Sequence, residues 1–97
     1  MKLSEVIAKY QNQLFQQKKE LENLNKEAEK YQQEKGTAMP FFNDKLKPIN
    51  DSIDETNYLI HWFKLINNDP GFDYAEGFIE DYAKGCLENF RKRKQEE

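Results

Sequence analysis

At 97 residues, with 37% hydrophobic and 34% charged side chains, this chain has room for one domain and not for a large globular core. An aromatic share of 13% argues against disorder, a formal charge of −3 is too small to steer the chain toward nucleic acid or membrane, and the single cysteine, Cys86, excludes an internal disulfide. No run approaches the ~20 apolar residues of a membrane span, and Met1-Lys2-Leu3-Ser4-Glu5 lacks an apolar signal core, so a soluble cytoplasmic protein is expected.

The first third of the chain is organised by one stripe: Leu3, Ile7, Tyr10, Leu14, Gln17, Leu21, Leu24, Ala28 and Tyr31. Its intervals alternate four and three, the a/d pattern of a coiled coil, over about four heptads. Residues three and four apart share a helix face, so the stripe is a continuous seam that must meet another helix. Ser4 is the expected N-cap and Gly36 the expected left-handed C-terminal stop, giving a helix over about 4–35. Glu5–Lys9, Lys18–Glu22 and Glu22–Lys26 have the spacing to pair along it, each worth only tenths of a kcal/mol. Gln17 is the polar member of the seam, where such a residue weakens a coiled coil but fixes its register. It could pair with itself across a dimer or with a polar residue of the second helix.

Residues 36–44 read as a connector because Pro40 disfavours helix at Met39, and Asn43 or Asp44 can cap the next helix. That second helix is expected over about 45–67, on the stripe Leu46, Ile49, Ile53, Thr56, Ile60 and Phe63. Pro48 should mark its proper start or a kink, since proline inside a helix removes a hydrogen bond. Toward its end Tyr58, Leu59, Trp62, Leu65 and Ile66 make the segment apolar on several sides, which places it at the centre of the fold.

Asn67-Asn68-Asp69-Pro70-Gly71 is a dense turn signal. Asp73 and Glu76 form a capping box that opens a third helix over about 73–94, with Ala75, Phe78, Ile79, Tyr82, Ala83, Cys86, Leu87 and Phe90 as its apolar set. Gly77 and Gly85 lie eight apart with Asp81 between them, and a bulky neighbour such as Trp62 is expected to need the room. The fold class expected is all-α: an elongated three-helix protein, a single domain over 1–97.

Chemistry is sparse. His61 is the only histidine and Cys86 has no cysteine partner, so neither a metal centre nor a cofactor is expected, and the protein reads as a non-enzyme. Three surfaces remain. Phe15 lies off the seam and Phe41 and Phe42 sit in the connector, where aromatics could anchor a partner protein. Asp73, Glu76 and Glu80, with Asp69 ahead of them, form an acidic row that could mimic phosphates, although acids in a first helical turn also suit the helix dipole. Arg91, Lys92, Arg93 and Lys94 hold both arginines of the chain and could grip phosphates, or simply complement a helix C-terminus. The Lys/Asn/Gln-rich, arginine-poor composition points to an AT-rich bacterial or phage genome.

The function expected from these surfaces is a protein-binding module, an adaptor or an inhibitor that covers a site on a larger protein. A homodimer is expected, because a first helix about 18 Å longer than the second leaves part of its seam uncovered. The rival readings are a nucleic-acid accessory protein using the basic tail and a structural assembly subunit.

Overall fold

The first stripe forms one uninterrupted helix, α1 (Leu3–Lys35), in a computed structural model that describes residues 1–66 and 72–96. All nine stripe residues are buried or half-buried, while nearly every other position of α1 faces solvent. Gly36 ends the helix at φ 73°, its N–H donating to the Gln32 carbonyl at 2.8 Å. The start differs from expectation. Ser4 is already helical, Lys2 is the N-cap and no side chain caps the helix. The reason is tertiary: Lys2 bridges Asp73, and the Tyr74 N–H donates to the Met1 carbonyl at 2.9 Å, which fixes the entry of the chain.

The second helix, α2 (Phe42–Ile66), begins three residues earlier than expected and contains Pro48 without a break in the helix. Proline here removes the bond that its nitrogen would give the Asp44 carbonyl, but Asp44 and Pro48 are both exposed, so water can satisfy that oxygen. The seam and the remaining helical bonds outweigh the defect. Helix α2 lies antiparallel to α1, as the Tyr10–Phe63 ring contact at one end and the Lys45–Glu27 ion pair at the other require. Its apolar stripe faces α1 and tightens toward the end, where Thr56, Leu59, Ile60 and Phe63 are buried. The seam of α1 is therefore packed against α2 of the same chain.

The third helix, α3 (Glu76–Glu96), returns antiparallel along α2. It starts three residues later than expected, and the Asp73–Glu76 capping box does not form. The Ile79 N–H donates to the Ala75 carbonyl, and the Asp73 carboxylate instead accepts from the Met1 ammonium. The expected turn at Asn67–Gly71 lies outside the described residues.

Helix α2 is thus flanked by α1 and α3, and the core cluster gathers Leu3, Val6, Leu59, Phe63, Ile79, Ala83 and Cys86. Val6, 1% exposed, lies off the seam yet belongs to this same core cluster, at the end of α1 nearest the N-terminus. The molecule measures 55 × 30 × 19 Å, and its radius of gyration of 17.3 Å exceeds the ~12–13 Å of a compact domain of this length. Beyond the reach of α3 the hairpin of α1 and α2 continues as a two-helix stem. No described helix is long and apolar enough to cross a membrane.

Candidate functional site

The end of the stem is built from the connector. Met39 is buried, and Phe42 turns back to line a shallow pocket with Asn25, Ala28 and Gln32 of α1. Phe41 does the opposite. Its carbonyl accepts from the Lys45 N–H at 3.0 Å and so opens α2, but its backbone stands at φ 61° and its ring is 75% exposed. Left-handed geometry costs a residue with a Cβ roughly 1–2 kcal/mol. Among the described residues Phe41 is both the only non-glycine in that region and the most exposed large apolar side chain.

Phe15 lies on the outer side of α1, 55% exposed, with the Lys19 ammonium 4.6 Å from its ring centre. Some 30 Å of helix separates it from the tip, so the expected aromatic anchors do not form one patch.

Of the acidic row, Glu76 and Glu80 are exposed on α3 and Asp73 is exposed just ahead of it, where it pairs with the chain's own ammonium, which holds its carboxyl below the usual carboxylate range. The basic tail divides. Arg91 makes a two-nitrogen contact with Glu55 at 3.0 and 3.4 Å, and Lys94 reaches Asp51 at 2.8 Å and Asp54 at 3.7 Å. These pairs strap the end of α3 to α2. Only Lys92 and Arg93 of the four have no carboxylate partner among the described residues.

A feature that sequence reasoning missed lies on the outer side of the α2–α3 pair. There Tyr58 and Trp62 face Asp81, Gly85, Asn89 and Arg93 across an open groove of about 440 Å³. Tyr58 also touches Phe90 at 4.9 Å between ring centres, and the groove continues along it toward Lys94. The glycine pair flagged its location but for the wrong reason. A Cβ built on Gly77 or Gly85 meets nothing within 4 Å, so Trp62 does not need their space. Gly85 leaves the groove open instead.

His61 is exposed beside Trp62, and burial pushes the Cys86 thiol up, away from the thiolate a nucleophile requires. No group of three or more potential metal ligands converges among the described residues. Compared with known protein families, characterised proteins and solved structures, the chain matches none.

Proposed function

We propose that this chain is a non-enzymatic, cytoplasmic binding module, an adaptor or inhibitor that seats the tip of its hairpin in an apolar pocket of a larger protein. The observation that supports this reading is Phe41. The chain puts a phenyl ring in water on a left-handed backbone, where asparagine or glycine would be more stable. Covering such a ring returns about 1.5–3 kcal/mol, enough to offset the backbone strain. The stem carries the ring well clear of the three-helix root, as an inserted anchor requires.

The test compares immobilised wild-type protein with Phe41→Asn and Phe41→Ala in lysate of the source cells. A protein retained by wild type and lost from both variants supports the reading. Identical capture by all three sinks it.

A further inference from the structure

Asp81, Gly85, Asn89 and Arg93 are spaced four apart and therefore form one row along α3, and all four line the groove against Tyr58 and Trp62. The row has an unusual symmetry. It carries an acid at one end, a guanidinium at the other, and a glycine and an amide between them. Read backwards it is complementary to itself. We propose that a second copy of this chain occupies the groove, with the two α3 helices crossing antiparallel about a twofold axis level with Leu87.

Twofold symmetry makes residue i of one copy face residue j of the other, and j face i. With the axis level with Leu87, Asp81 faces the partner's Arg93 at both ends of the row, and Gly85 faces the partner's Asn89 on either side of the centre. Rows of residues four apart are the ridges that most often interdigitate between helices. The missing Cβ of Gly85 allows the close approach at the middle: the space above it is open, and no intramolecular neighbour fills it. Tyr58 and Trp62 supply the apolar walls, residue types that dominate interface energetics.

The charges fit this occupant. Arg91 and Lys94 are already paired within the chain, whereas Arg93 and Asp81 have no ion-pair partner among the described residues. They lie about 18 Å apart along the helix, too far to meet within one copy but matched across two. The homodimer so formed leaves the α1 seam closed on α2 and uses a different surface.

The experiment is the solution mass of the intact chain by light scattering, over a wide concentration range, with four variants. Wild type should reach twice the 11.6 kDa of one chain. Asp81→Arg and Arg93→Asp should each weaken dimerisation by about tenfold or more, because each sets like charges against one another. The double variant Asp81→Arg/Arg93→Asp should restore it. Gly85→Leu, which leaves the charges intact but fills the floor of the groove, should give a monomer with full helical circular dichroism. A monomeric wild type overturns the proposal and leaves the groove to a different protein. So does a dimer indifferent to both charge reversals, a double variant no stronger than the singles, or a Gly85→Leu protein that still dimerises.

Discussion

The Tyr10 ring stacks on the Phe63 ring at 5.5 Å with the planes 19° apart, and this contact joins the seam of α1 to the most deeply buried side chain of α2. Phe63 is 0% exposed and also touches Tyr82 of α3 at 5.2 Å, so one ring bonds all three helices. Phe63→Ala should cost about 3–5 kcal/mol and, in a chain this small, come close to unfolding it. Tyr10→Phe keeps the stack and should change stability by less than about 1 kcal/mol, since the Tyr10 ring is only half-buried. Urea unfolding followed by circular dichroism measures both.

Phe41 should show the opposite sign. Phe41→Asn relieves the left-handed strain and removes an exposed ring, so it should raise stability by about 1 kcal/mol in the same assay. A loss of stability would mean that the ring is packed against the stem.

Gln17 sits in the seam with its Oε1 atom buried and without a hydrogen-bond partner. Its neighbour makes the polar contact instead: Gln13 Nε2 donates to Thr56 Oγ1 at 3.3 Å, and Thr56 donates to the Ser52 carbonyl at 2.9 Å. An unpaired buried oxygen costs about 1–3 kcal/mol, so Gln17→Met should stabilise the hairpin by about 1 kcal/mol or more. If Gln17 specifies register, that variant should also broaden the amide spectrum, which nuclear magnetic resonance would reveal.

The two glycines of α3 have room for a methyl group. Gly85→Ala, in the middle of the helix, should gain about 1 kcal/mol of folding stability, and Gly77→Ala, in the first turn, about half that. Thermal unfolding at low protein concentration reads the effect in the single chain.

The strap between α3 and α2 should respond to pH. The Lys94 ammonium holds the Asp51 carboxyl below the usual carboxylate range, chiefly through their hydrogen bond, and Asp51 in turn raises the Lys94 ammonium. A depressed carboxylate stabilises the fold above its unfolded pKa and loses that contribution as pH falls through the folded value, so the strap weakens below about pH 4. The raised ammonium contributes below the ordinary lysine pKa and is lost as pH rises through its folded value. Both groups are solvent-exposed, so the effect is small and salt-sensitive. Lys94→Met should flatten the acid side of the stability curve, measured as midpoint against pH at low ionic strength.

Much of this architecture is legible in the residues because it is periodic. The seam of α1, the stripe of α2 and the Gly36 stop all rest on local spacing or on one conformational preference, and all three appear in the structure. What local rules miss is decided by contacts distant in sequence. Asp73 resembles a helix cap, yet its carboxylate meets the chain's own ammonium seventy-two residues away. Pro48 resembles a helix start, yet packing carries α2 through it. Of the candidate surfaces, Phe41 stands out in sequence as an aromatic in a connector, but its left-handed backbone does not. The groove beside Gly85 needs Tyr58 and Trp62 from another helix, so α3 alone could not reveal it.

Because α3 straps no further along α2 than Asp51, the outer hairpin is held by a single layer of contacts, in which Leu24 and Met39 are the only buried side chains among the described residues. Such a segment opens locally at a fraction of the global unfolding free energy. Amide protons in 22–35 and 42–50 should therefore exchange with deuterium well before those in 55–66. In mechanical terms the root is the better-braced handle of the molecule and the stem its more compliant arm.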